Sequence, residues 1–166
     1  MVPSARIVIA SPAVPADYQP LKELFVEYAE SLGFSLDYQG FAAELAELPG
    51  KYAPPTGALL LARVDGAAAG AVALRQLAAE ICEMKRLYVR PAYRGLRTCE
   101  GLSIGRALAV AVVDKARALG YRRLRLDTIA GKMDAAMRLY RSMGFVDIPP
   151  YYPSPVPDTA YMELVL

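Results

Sequence analysis

An Asp65-Gly66 pair between two apolar runs, Ala58 to Val64 and Ala69 to Leu77, is the feature that most narrows what this chain can fold into. Asp-Gly suits the positive-φ positions of a tight two-residue turn, whose twist matches a pair of antiparallel strands. A third strand-like run, Ile81 to Val89, follows at once, so the centre of the chain is expected to be an antiparallel meander. Pro91 and Gly95 break that pattern, and Ile104, Leu108, Ala111, Val112 and Leu119 then mark one face of a long helix closed by Gly120.

The flanks supply further layers. Arg6 to Ala10 suggests a short strand, and Leu21, Leu24, Phe25, Tyr28 and Leu32 recur at helical spacing up to Gly33. A short helix is expected from Phe41 to Leu48, stopped by Pro49 and Gly50. After a strand at Arg123 to Thr128, the stripe Ala136, Leu139, Tyr140 and Met143 predicts a helix ending at Gly144, followed by a strand at Phe145 to Ile148. Five prolines between Pro149 and Asp158 form a stiff loop before a last strand, Ala160 to Leu166. No repeat or linker interrupts the series. One α/β domain over residues 1–166 is expected, a mixed and mostly antiparallel sheet with helices on both faces. At 55% hydrophobic, 166 residues bury a core without disulfides or metals.

The chain has no histidine, which removes Ser-His-Asp and Cys-His nucleophile systems and most zinc hydrolase sites. Cys82 and Cys99 have no metal-ligand spacing, and no metal is expected; a reducing, cytoplasmic setting is. No export leader is legible, and the apolar runs fall short of the roughly 20 residues that span a bilayer. Charge is unevenly spread: residues 1–83 carry five basic and ten acidic groups, residues 84–125 eleven basic and two acidic. That basic middle is either a solvated face or the footprint of an anionic partner, a phosphorylated cofactor or a nucleic acid. A nucleic-acid role is not expected, because Arg122, Arg123 and Arg125 share a predicted strand with two faces and no aromatic platform accompanies them.

The stretch Glu83 to Leu108, EMKRLYVRPAYRGLRTCEGLSIGRAL, runs from a strand through a basic glycine-containing loop into a helix. A helix start offers unpaired N–H groups and a positive dipole end, so this is a candidate anion cradle reinforced by Arg94, Arg97 and Arg106. It matches neither a Walker A loop nor a GxGxxG fingerprint.

The blocks LYVRPAYRG with IGRAL, then RLRLDT, then AMRLYRSMGF, resemble the GNAT superfamily of acyl-CoA-dependent N-acyltransferases. Their order and spacing match over about Arg6 to Leu166. The resemblance implies an N-acetyltransferase moving an acetyl group from acetyl-CoA to a primary amine, with an acyl-CoA-binding sensor lacking turnover as the alternative. It implies that the strands Glu83 to Val89 and Arg123 to Thr128 splay, with the pantetheine arm between them. Leu87, Tyr88 and Val89 would offer backbone groups to that arm and to the thioester oxygen, and Thr128 and Ala136 are assigned to the cofactor on the same basis. Arg94, Gly95, Ile104, Gly105 and Arg106 match the pyrophosphate loop.

The family pattern RGxGxGRAL departs here to RGLRTCEGLSIGRAL. The extra Arg97 to Leu102 either bulges outward, with Gly101 and Ser103 still lending donors, or spoils the cradle. Cys99 within it has no base partner nearby and is not expected to be a nucleophile. The reaction requires a proton acceptor for the ammonium and a donor for the leaving thiolate. Glu83 is the candidate base, or else a strand glutamate paired with Lys85, Arg86 or a cationic substrate. Tyr140 is the candidate acid and also a core aromatic. Acceptor contacts are expected from Tyr28, Asp37, Tyr38, Gln39, Tyr151 and Tyr152, and the acidic first half weakly favours a cationic acceptor. The resemblance also admits a homodimer through the last strand.

Overall fold

The computed structural model describes residues 4–166 and builds them around one seven-stranded sheet. The strands are β1 (Ile7–Ala10), β2 (Ala58–Val64), β3 (Ala67–Ala78), β4 (Ile81–Val89), β5 (Arg123–Ile129), β6 (Val146–Ile148) and β7 (Thr159–Val165). The helices are α1 (Tyr18–Ser31), α2 (Phe41–Glu47), α3 (Ile104–Ala118) and α4 (Asp134–Ser142). Across the sheet the order is β1-β2-β3-β4-β5-β7-β6, and of these neighbouring pairs β4 and β5 alone run parallel. This is the expected mixed, mostly antiparallel α/β fold. Among the described residues no helix is long and apolar enough to cross a membrane.

Asp65 and Gly66 both take positive φ, 49° and 88°, as the tight turn requires. Alternation along β3 then divides the core. Val72 and Leu74 face Leu108, Val112 and Ala116 of α3, while Ala71 and Ala73 face Leu21, Leu24 and Phe25 of α1. The leucines, valines and phenylalanine among these are fully buried, each worth about 1.5–3 kcal/mol relative to exposure. Gly70 allows β3 and β4 to approach, since a Cβ there would lie 2.7 Å from the Tyr88 carbonyl oxygen. The last strand, β7, is hydrogen-bonded on both edges over Tyr161–Glu163, so its middle is not a free edge for a second copy.

One irregularity shapes the centre of the sheet. Ala73 pairs with Lys85 but Ala71 with Tyr88, so β4 carries one residue more than β3 across this interval, and Arg86 within it has φ of 63°. Pairing of β4 with β5 covers only Ile81 to Glu83, opposite Arg123 to Arg125. From Glu83 onward, through the bulge, the two strands part. The Arg86 side chain fixes the bulge: Nε and Nη2 each donate at 3.0 Å to Glu44 of α2, and Nη1 donates at 2.8 Å to Gln39. Tyr52 donates to the same carboxylate, and Arg86 lies over the rings of Phe41 and Tyr28.

Burial alone raises the pKa of Glu44, but Arg86, Tyr52 and Lys51 outweigh it and hold the group below its ordinary value. Glu44→Ala, which strands a buried guanidinium, is expected to cost about 3–5 kcal/mol in urea unfolding. The folded chain binds the Glu44 proton less tightly than the unfolded chain. Its contribution is therefore complete above about pH 4.3, is lost as pH falls through the lower folded value, and should be missing from the acid limb of Glu44→Gln.

Candidate active site

The parting of β4 from β5 opens a narrow slot of about 30 Å³, lined from β4 by Met84 to Leu87, from β5 by Leu126 to Ile129, and by Tyr28, Tyr38, Gln39 and Tyr140. Two wider cavities adjoin it. A mouth of about 320 Å³ shares Tyr28, Leu87 and Met133 with the slot and continues over Tyr88, Val89, Arg94 and Ala136. A pocket of about 280 Å³ shares Tyr38, Gln39 and Lys85 with the slot and extends under Glu83, Tyr151 and Tyr152. Two reactants can thus enter from separate openings and meet at the slot.

At the mouth beside the slot the β4 backbone is polar and turned inward. Arg90 N–H donates to the Ala69 carbonyl, so by the alternation of an antiparallel ladder Val89, opposite Gly70, turns its N–H and C=O away from β3 toward the gap. The Val89 carbonyl accepts Arg94 Nε at 2.9 Å. In the slot itself, on β5, Thr128 Oγ1 is buried without a hydrogen-bond partner. An unsatisfied buried hydroxyl costs about 1–3 kcal/mol.

In the loop between β4 and α3, residues 97–103 form a small hairpin of their own. Arg97 bridges Ser103, Thr98 N–H donates to the Leu102 carbonyl, and Gly101, with φ of 83°, donates to the Thr98 carbonyl. Gly101 was expected to lend its N–H to an anion; closing this turn uses that N–H instead. Ser103 is the N-cap of α3, its Oγ accepting from Arg106 N–H at 3.2 Å, which keeps the hydroxyl at the helix start. The N–H groups of Ile104 and Gly105 have no intrahelical acceptor, as at any helix start. Gly95 is exposed, and Arg106 reaches from α3 to the Ser142 hydroxyl of α4 at 2.8 Å. Exposed Cys99 stands at the hairpin tip.

Tyr140 is buried against Phe145 and lines the slot, so it serves the core and the cleft together. Burial, with Tyr28 and Asp127 nearby, pushes its hydroxyl far above the usual phenol range. Tyr28 is pushed up to about 12, chiefly by burial. Glu83 is almost fully buried, with Arg75 Nε donating at 2.9 Å to one oxygen and the Tyr151 hydroxyl donating to the other. Burial raises its pKa, and Lys85, Tyr151 and Arg75 more than reverse this, keeping it ionised. Its strand partner is Arg75, directly across the β3–β4 ladder, along with Lys85; Arg86 turns instead to Glu44.

Of the expected acceptor residues, Tyr38, Gln39, Tyr151 and Tyr152 line the 280 Å³ pocket, and Tyr28 lines the slot. Asp37 lines neither. Sequence reasoning missed Asp127, which accepts the Tyr152 hydroxyl, and the cations Lys51, Arg75 and Lys85 of the pocket wall. The usable signal was local: Asp127 stands next to Thr128 at the end of RLRLDT, and Arg75 and Glu83 are symmetric about the β3–β4 turn. Among the described residues no group of three His, Cys, Asp or Glu side chains is arranged to hold a metal ion.

A model of the acetyltransferase (GNAT) family matches residues 20–145. The chain belongs to that family. It is 39% identical over 166 residues to an N-acetyltransferase of Schizosaccharomyces pombe, covering 99% of this chain and 98% of the relative. In fold it is similar to an acetyltransferase from Streptococcus agalactiae, with a TM-score of 0.76 at 22% identity over 96% of this chain and 98% of the other. It also resembles the PaiA N-acetyltransferase of Thermoplasma acidophilum, solved with coenzyme A, with a TM-score of 0.70 at 20% identity over 97% of this chain and 99% of that one. As a GNAT-family member the chain is an acyltransferase.

Thr128→Val keeps the shape of the side chain and removes the unpaired hydroxyl. The ligand-free protein is expected to gain about 1 kcal/mol in thermal or urea unfolding, an unusual sign for a buried substitution.

Proposed function

We propose that this chain, acting as one cytoplasmic domain, transfers the acetyl group of acetyl-CoA to a primary amine of a small molecule, amino acid or peptide. The observation that carries the reading is an orphaned Thr128 hydroxyl in the slot beside a Val89 backbone turned away from β3 at the adjoining mouth, where β4 and β5 part. A linear pantetheine amide fits such a gap as an added strand would. In this reading Leu87, Tyr88 and Val89 hold the arm from β4, Thr128 supplies a hydrogen bond from β5, and Ala136 leaves room at the mouth. The pyrophosphate meets the Ile104 and Gly105 N–H groups, the Ser103 hydroxyl, and Arg94 and Arg106, beside the open backbone of Gly95. The coenzyme A in the Thermoplasma relative supports acetyl-CoA as cosubstrate. Free thiols at Cys82 and Cys99 suit a reducing compartment.

The amine nitrogen attacks the thioester carbonyl, whose developing oxyanion takes the Val89 N–H. The new C–N bond forms as the C–S bond breaks. Tyr140 gives its proton to the departing thiolate. The proton lost by the ammonium passes to Glu83 through water, because Arg75 and Tyr151 occupy its direct faces. A carboxylate held ionised this firmly is a weak base, so it relays the proton onward to solvent without keeping it and, as an anion, orients Tyr151.

Tyr140→Phe retains the packing, so stability should change by no more than about 1–2 kcal/mol while the chemical step slows. Glu83→Gln should lower turnover by about 100-fold with little change in CoA affinity. Because burial keeps Tyr140 protonated well past neutral, the wild-type rate should show no fall assignable to it between about pH 7 and 9. Thiol release across amines, amino acids and peptide N-termini reads the rates, and calorimetry reads CoA binding. Tight acetyl-CoA binding with no amine acetylated would identify an acyl-CoA sensor instead.

A further inference from the structure

The 280 Å³ pocket carries more positive charge than its own walls neutralise. Lys51, Arg75 and Lys85 line it together with a single carboxylate, Glu83. Lys51 reaches outside for Glu44 at 3.3 Å, and that carboxylate already accepts from Nε and Nη2 of Arg86. Four cations therefore share two carboxylates. Lys85 shows the deficit most directly. Its side chain is only 7% exposed, and the carboxylate oxygen nearest its ammonium, on Glu83, stands 3.7 Å away, beyond hydrogen-bond distance. An ammonium that lines the pocket with its nearest carboxylate beyond hydrogen-bond distance offers its donors to an anion there. On the slot side of Tyr152 the sign reverses, for Asp127 sits there and accepts the Tyr152 hydroxyl.

Positive charge at the outer end and a carboxylate at the inner end match a zwitterion laid along the passage. We propose, on the N-acetyltransferase reading above, that the acceptor is an amine that also carries a carboxylate, of amino-acid size, with its carboxylate on Lys85, Arg75 and Lys51 and its ammonium directed to Asp127 and the slot. The acidic first half of the sequence, which favoured a cationic acceptor, is engaged within the fold: Asp17 pairs with Arg63, Glu23 and Glu27 with Arg90, and Glu44 with Arg86. Much of the acidic excess is thus internal pairing, and none of Glu30, Asp37 and Glu47 lines the pocket, so the excess gives no reason for a purely cationic substrate. Burial, with Lys85 and Arg75 near it, depresses the Lys51 pKa against the pull of Glu44, which agrees with a crowded cationic wall.

The test compares amino acids with their carboxamides and their decarboxylated amines as acceptors, with acetyl-CoA saturating. The acids should exceed both analogues in kcat/KM by about tenfold or more, the difference lying in KM. That ratio should collapse toward one in Lys85→Met and in Lys51→Gln, the second at a more exposed position that leaves the core intact. Amides or decarboxylated amines equal to or better than the acids, or a ratio unmoved in both variants, overturns the proposal. Thermal shift with the same three compounds in the presence of CoA reads the preference without turnover. If no acceptor is acetylated yet the acids stabilise selectively, the transferase reading fails and the pocket assignment stands; stabilisation by the amides or amines instead sinks the pocket assignment.

Discussion

The Arg86–Glu44 ion pair holds the sheet in the one irregular state that gives it a cleft. A left-handed residue in mid-strand is unfavourable for any side chain with a Cβ, and a regular β4 would continue its pairing with β5 past Glu83. Two guanidinium hydrogen bonds to α2, a third to Gln39 and the flanking aromatic rings offset that cost. The same contacts tie the α1–α2 region, which carries Tyr28 and Tyr38, to the strand that opens. Stability and site geometry are therefore coupled at a single buried charge pair, where removal of either partner leaves an uncompensated ion.

Much of the architecture was legible because it follows from short-range rules. Asp65-Gly66 fixed the hairpin, helical spacing located α1 and α3, and β2 and β4 fall at the limits that hydrophobicity alone suggests. What was not legible is long-range. Arg86 and Glu44 are 42 positions apart, and nothing near either one in the sequence names its partner. The bulge itself is a register shift, visible only when β3 is laid beside β4. The RGLRTCEGLSIGRAL segment shows the opposite limit: its flanks were recognisable, but the closure of Thr98 to Gly101 into a turn is a backbone event that residue types left open.

Charge counted along the chain misled in a related way. The basic run from Lys85 to Arg125 reads as one patch, yet Arg86, Arg90, Arg123 and Arg125 each meet a carboxylate from elsewhere in the fold. Two consequences follow for the site. The arginines remaining near the α3 start are few, so the proposed anion contact depends on the helix N–H groups as much as on formal charge. Lys85, undistinguished in sequence, becomes a largely covered charge in the pocket whose nearest carboxylate is 3.7 Å away.

The central claim is that acyl-CoA occupies the gap made by the β4 bulge. Amide hydrogen exchange of the full chain with and without CoA, at concentrations where calorimetry shows saturation, tests it most directly. Protection on binding should concentrate in segments containing Val89 on β4, Thr128 on β5, and Ile104 and Gly105 at the start of α3, with the β1–β2 edge unchanged. Saturating CoA that leaves exchange at those segments unaltered, or that protects a different region, would contradict the account.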